Sequence, residues 1–109
     1  MPREVQIGAD VTEDLRDQVA NYAVSLGISE SALLHLLLRR ELRLKLLGQM
    51  RLSEPVKKAN PRVRITAHRA SVEFRAQFHN HVRSKGIDPG VAIASIAEAE
   101  LREKWLKTT

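Results

Sequence analysis

Arg62, Arg64 and Thr66 occupy alternate positions of the segment Pro61-Arg62-Val63-Arg64-Ile65-Thr66-Ala67, with Val63, Ile65 and Ala67 between and after them. Each guanidinium is a rigid fork of N–H donors suited to planar acceptor edges, and the threonine hydroxyl both donates and accepts. Successive side chains of a strand point to opposite faces, so this spacing predicts a strand with one apolar face and one basic, hydrogen-bonding face. Glu4-Val5-Gln6-Ile7-Gly8-Ala9 is a fainter copy near the N-terminus. A lone strand leaves its backbone groups unpaired, whereas two copies can satisfy each other. The paired ribbon is therefore expected to be the working surface.

Other chemistries find little support. There is no cysteine, which removes disulfides and cysteine-based zinc sites. His79 and His81 are two apart on a helical pattern and face different sides. No Gly-rich phosphate loop, Ser-His-acid set or recurrent carboxylate pair is present. The expectation is no enzyme, no cofactor and no metal. With 109 residues there is room for one small domain, or two very small ones sharing a core. The formal charge of +5 suits a polyanionic partner. Residues 1–60 hold about nine basic and eight acidic side chains, and residues 61–109 about nine and five, so the excess lies in the second half. No apolar leader or membrane-length run is visible, and a cytoplasmic protein without membrane association is expected.

The elements that would carry the strands follow in order. Asp10-Val11-Thr12-Glu13-Asp14 reads as a helix start with Thr12 as N-cap. Leu15, Val19, Tyr22, Ala23 and Leu26 form its stripe, and Gly27 ends it. Ser29 caps a second helix reaching about Leu47, whose Ala32, Leu33, Leu34, Leu36, Leu37 and Leu38 are apolar almost all round, as in a helix buried on most sides. Residues 48–60, with Pro55, Lys57 and Lys58, read as a linker. The pattern then restarts. Ser71 caps a helix with the stripe Phe74, Phe78 and Val82, closed by Gly86. Asp88-Pro89 opens a last helix with Val91, Ile93, Ile96, Ala97, Leu101, Trp105 and Leu106 on its apolar side.

This is an internal repeat at a spacing of about 59 residues. Arg16, Gln18, Asn21 and Ser25 match Arg75, Gln77, Asn80 and Ser84; Gly27-Ile28 matches Gly86-Ile87; Glu41-Leu42-Arg43 matches Glu100-Leu101-Arg102. The strands align only when shifted by one, so the second ribbon-to-helix turn carries one extra residue. The organisation predicted is a first repeat over 1–47, a linker over 48–60 and a second repeat over 61–109, with one shared core. One repeat alone exposes a strand edge and the back of an apolar helix, and is not expected to fold. A second helix of about 19 residues is about 28 Å long, and about thirteen extended linker residues span about 43 Å. Pairing within one chain is therefore allowed, as is a swap between chains.

Strand, capped helix, Gly-Ile turn and apolar helix, in that order and twice, resemble the ribbon-helix-helix (Arc/MetJ-like) family of DNA-binding proteins. The resemblance covers almost the whole chain except the linker. It implies a mostly α fold with a two-stranded antiparallel ribbon, here a tandem pseudo-dimer in one chain. Fused pairs are similar to accessory proteins of conjugative relaxosomes and T-DNA transfer, and Leu37-Leu38-Arg39-Arg40-Glu41-Leu42 is similar to the corresponding helix of the latter. By the family pattern the ribbon enters the major groove of double-stranded DNA, with Gln6, Gly8, Arg62, Arg64 and Thr66 outward as base-reading positions. With Gln6 facing Arg64, Glu4 lies opposite Thr66 and Gly8 opposite Arg62. The unequal strands imply an asymmetric target.

The resemblance also implies phosphate anchors at the second helices' N-termini, Ser29-Glu30-Ser31 and Asp88-Pro89-Gly90, against ordinary caps as the plainer reading. His68 and Arg69, in the longer turn, compensate for a weaker second anchor. Lys57 and Lys58 are within reach of phosphates or simply solvated. Arg39, Arg40 and Arg43 are expected on a helix surface far from DNA, and Trp105 in the core or in the packing between repeats. The roles left open are a DNA-transfer accessory protein, working with further copies of itself or other transfer proteins, and a transcriptional repressor. The alternative class is a protein-interaction module, such as an antitoxin or a helical protein with no nucleic-acid role.

Overall fold

The computed structural model describes residues 4–52 and 62–107. The element order is β1 (Glu4–Thr12), α1 (Glu13–Ser25), α2 (Glu30–Leu44), β2 (Arg62–Ser71), α3 (Val72–Ser84) and α4 (Pro89–Glu103), with short 3-10 turns after α2 and α4. The chain is predominantly helical around one two-stranded antiparallel ribbon, and the β-α-α unit occurs twice. This is a tandem ribbon-helix-helix arrangement. Residues 53–60 of the expected linker, Pro55, Lys57 and Lys58 among them, and Pro61 after it lie outside the described residues.

The repeat is visible in the backbone itself. Thr12 and Ser71 take extended conformations and accept from the N–H groups of Leu15 and Phe74, capping α1 and α3. Because an N-cap residue is extended, each strand runs directly into its helix with no intervening turn. Val11, expected in the helix start, is therefore a core-facing strand residue, and Asp10 lies on the outer face. Gly27 and Gly86 have φ of +75° and +72°, the left-handed geometry only glycine adopts without strain. There the N–H groups of Ile28 and Ile87 reach back to the carbonyls of Ala23 and Val82. Helix α2 stops at Leu44, three residues before the expected end, because Lys45 turns left-handed, as Lys104 does after α4. That turn folds Leu47 back into the core.

Ile7, Ala9 and Val11 from β1, and Ile65, Ala67 and Ala70 from β2, form the ribbon's buried face. Onto it pack Leu33, Leu34, Leu37 and Leu38 of α2, Ala92, Ile93, Ile96 and Ala97 of α4, and the stripes of α1 and α3. Helix α2 lies against β2 and α4 against β1, so each second helix covers the other repeat's strand. At the periphery, Leu36 is half exposed, and Trp105 is 40% exposed: it lies outside the core but packs between repeats, its ring 4.9 Å from the Arg40 guanidinium.

The core holds two buried carboxylates at equivalent places, Glu41 and Glu100, each about 1% exposed. Glu100 accepts from the Tyr22 hydroxyl, from Arg40 Nη1 at 2.8 Å and from the Leu106 N–H at 2.9 Å. Glu41 Oε2 lies 2.6 Å from His81 Nε2, and His81 stands where Tyr22 stands in the first repeat. Both contacts cross between repeats. Arg40, expected on a distant surface, is thus a core ion-pair partner, while Arg39 lies over the Phe74 ring.

Burial pushes the Tyr22 phenol well above its ordinary value near 10, reinforced by its hydrogen bond to Glu100 and that residue's charge. A raised folded-state value means the folded chain holds the proton more tightly. The resulting stability is complete below pH 10 and is lost as pH rises above it. Urea midpoints measured from pH 8 to 11 should fall more steeply for the wild type than for Tyr22→Phe, which starts lower at pH 8.

Candidate nucleic-acid interface

The outward face of the ribbon is set by the strand register, and the register differs from expectation. Gly8 pairs with Thr66, Ala9 with Ile65, Asp10 with Arg64 and Thr12 with Arg62. Gln6 does not face Arg64, and Glu4 pairs with Ser71 rather than Thr66. The pseudo-twofold axis passes between Gly8 and Thr66, one alternate position further along each strand than the Gln6–Arg64 pairing places it. Equivalent strand residues are then 58 apart: Gln6 with Arg64, Gly8 with Thr66, Asp10 with His68.

Six positions follow around the axis: Gln6, Gly8 and Asp10 on one strand, and Arg64, Thr66 and His68 on the other. Asp10 is the residue that sequence reasoning missed, and His68 belongs to the ribbon face rather than to a turn. Arg62 lies at the ribbon's end beside the Thr12 cap, four pairs from the axis, and its side chain is outside the described residues.

The extra residue of the second repeat is a bulge within β2. Val5 pairs with Ala70 and Ile7 with Ala67, so Gln6 alone opposes His68 and Arg69. Arg69 takes a φ of +57° there, at a cost of roughly 1–2 kcal/mol for a residue with a Cβ. The bulge turns Arg69 outward beside Glu4, Val5, Gln6 and His68, which line a shallow open groove. Bulges re-aim side chains in this way.

At the other end Arg64 reaches across the ribbon to Asp10, Nη1 to Oδ1 3.3 Å, with both side chains about half exposed. Gly8 makes that crossing possible. A Cβ at Gly8 would stand 2.7 Å from the Ile65 carbonyl oxygen and 2.9 Å from Arg64 Nη2. Gly8→Ala is therefore expected to lose about 1–3 kcal/mol of stability and to displace Arg64. Urea unfolding and the D10–R64 contact, followed by the Arg64 side-chain NMR signal, check both halves of that expectation.

The helix N-termini flank the ribbon unequally. Ser29 Oγ accepts from the Ala32 N–H at 3.0 Å, and Ser31 Oγ from the His68 N–H at 2.8 Å. By helix geometry the N–H groups of Glu30 and Ser31 have no partner inside α2. At α4 the Asp88 carboxylate already accepts from Gly90 and Val91, at 2.9 and 3.3 Å. The Asp88–Gly90 anchor is thus filled by an anion of its own, the plainer cap reading.

The outer surface of α3 adds Arg75, His79 and Arg83 along one groove. Partial burial, then the charges of Arg75 and Arg83, hold the His79 imidazolium below its ordinary value. Among the described residues no group of three or more His, Asp or Glu is placed to hold a metal ion, and no helix is long and apolar enough to cross a membrane.

The fold and this face define a small ribbon-and-helix module compatible with a nucleic-acid or a protein partner. Neither the family models, nor the curated proteins, nor the solved structures compared with the chain gave a match.

Proposed function

We propose that the protein binds double-stranded DNA sequence-specifically by laying the ribbon's outer face in the major groove. The observation that carries this reading is the make-up of that face. Gln6, Asp10, Arg64, Thr66 and His68 all present hydrogen-bonding groups around Gly8, and the apolar side chains of both strands turn the other way. A two-stranded ribbon fits a groove about 12 Å wide, where each base pair shows its own donor and acceptor pattern. Gln6 suits adenine N6 and N7, Arg64 suits guanine O6 and N7, and Asp10 accepts from a cytosine amine. Ser29, Glu30 and Ser31 at the α2 N-terminus, with Arg69, supply phosphate contacts on the bulged side.

The strands offer different groups at every equivalent position, so the two half-sites differ and the target is not a palindrome. The biological setting that fits is a DNA-transfer accessory protein or a repressor in the cytoplasm, which share this mechanism. The direct test is titration of labelled plasmid fragments at low and moderate salt. Binding that weakens with salt and survives excess unrelated competitor supports the reading; no binding at low salt overturns it.

One observation favours the second reading, a protein partner. Glu4 and Asp10 offset Arg64 and Arg69, so the described side chains of the ribbon face carry little net charge. Failure of every duplex to bind leaves that reading.

A further inference from the structure

We infer that the two repeats form a heterospecific pair, so that each repeat's matching partner is the other repeat and not a second copy of itself. The inference rests on how the second helices meet the strands they cover. Helix α2 covers the bulged strand. The His68 N–H donates to Ser31 Oγ at 2.8 Å, and the His68 carbonyl lies 2.5 Å from His35 Nε2. A bulge interrupts the ladder and leaves backbone groups that need other partners, and α2 supplies one for the donor and one for the acceptor.

The equivalent positions on α4 are Gly90 and Ala94, 59 residues on. They face β1, which runs unbulged through Ala9, Asp10 and Val11. A Cβ at Gly90 would stand 3.1 Å from Asp88 Oδ2 and in ordinary contact with the Ala9 Cβ at 4.0 Å, so the helix lies against the strand there, and Ala94 is buried. Small residues therefore stand where the strand is regular, and Ser31 and His35 stand where it bulges.

Like pairing breaks both matches. Two first repeats would press the His35 imidazole against an unbulged strand, in the place where the native pair has only Ala94. Two second repeats would set a bulge against Gly90 and Ala94 and leave the His68 N–H and carbonyl without partners. An unmade pair of this kind costs more than a made one contributes. The order of the half-sites along a bound ribbon is then written into the core, and copies of the chain can exchange elements only reciprocally, first repeat with second.

The test is a cycle in the full chain, read as urea midpoints. The S31G/H35A variant gives α2 the residues of α4, and deletion of Arg69 gives β2 the regular course of β1. Each change alone is expected to lower the midpoint. Combined, they recreate a helix–strand contact the molecule already contains, so the combined chain should be more stable than the deletion alone. Folding of the combined chain where the deletion chain fails to fold supports the inference equally. Additive losses, failure of both deletion chains to fold, or an unchanged midpoint in S31G/H35A would overturn it.

Discussion

Arg64→Ala is expected to weaken binding to the preferred duplex roughly 5- to 150-fold, the equivalent of losing one bidentate guanine contact, while leaving the fold intact. The stability half follows from exposure. Arg64 is about half exposed, and so is Asp10, its ion-pair partner at 3.3 Å. Exposed pairs contribute roughly 0.2–1 kcal/mol. A guanine contact of about 1–3 kcal/mol therefore outweighs the internal pair, and the guanidinium can leave Asp10 for a base.

The loss should be local. Base preference should relax at one end of the site and remain at the end read by Gln6 and His68. Asp10→Ala makes the complementary case. It frees Arg64 but removes the acceptor for a cytosine amine, so preference at that same end should blur with a smaller loss of affinity. Competition binding with single-base-pair variants of the site measures both, and unchanged affinity and preference in Arg64→Ala would remove the ribbon as the reading surface.

Glu100→Ala should be the most damaging single change to stability, at about 3–5 kcal/mol. Glu100 accepts from a cluster of donors: Tyr22, Arg40 and the Leu106 N–H. Arg40 is only 12% exposed, so truncating its partner strands a charge in a poorly solvated place. For a small domain whose whole stability is about 5–15 kcal/mol, that is a large fraction. Glu41→Ala should cost less, because among the described residues the Glu41 carboxylate bonds to His81 alone and its Oε1 has no partner. Thermal unfolding of the two variants should rank Glu100→Ala well below Glu41→Ala. Equal losses would mean that the donors around Glu100 contribute little.

Much of this architecture was legible in the chain. The caps at Thr12, Ser29, Ser71 and Asp88, the glycine turns at Gly27 and Gly86, and the strand-to-helix order all follow from local rules that act on adjacent residues. The extra residue in the second repeat was also legible, as a one-residue slip between the strand and helix alignments. Its form was not. A turn and a bulge leave the same count, and only the pairing shows Arg69 inside the strand.

The register escaped for a related reason. Moving the axis from Gln6–Arg64 to Gly8–Thr66 advances each strand by two residues, and a step of two keeps every side chain on its own face. Alternation therefore cannot separate the two pairings. The same ambiguity hid Asp10, which two residues before Thr12 reads as part of the helix start and proves to lie on the ribbon.

The buried polar residues were hidden by type. A glutamate near the end of an Arg-rich helix reads as solvated, yet Glu41 and Glu100 recur at matching places in both repeats. That recurrence was the available signal, since a surface charge has little reason to hold its phase. Arg40 was misplaced for the same reason, its charge suggesting surface. In the fold its guanidinium reaches Glu100 and the Trp105 indole lies outside it.

The most direct measurement is selection of bound sequences from a random duplex pool by the intact chain, with footprinting of the shortest selected site and the number of chains on it counted. The account predicts one chain across a site whose two halves differ, with a G·C pair favoured at the Asp10–Arg64 end. A clean inverted repeat, or no enrichment over the starting pool, would contradict it.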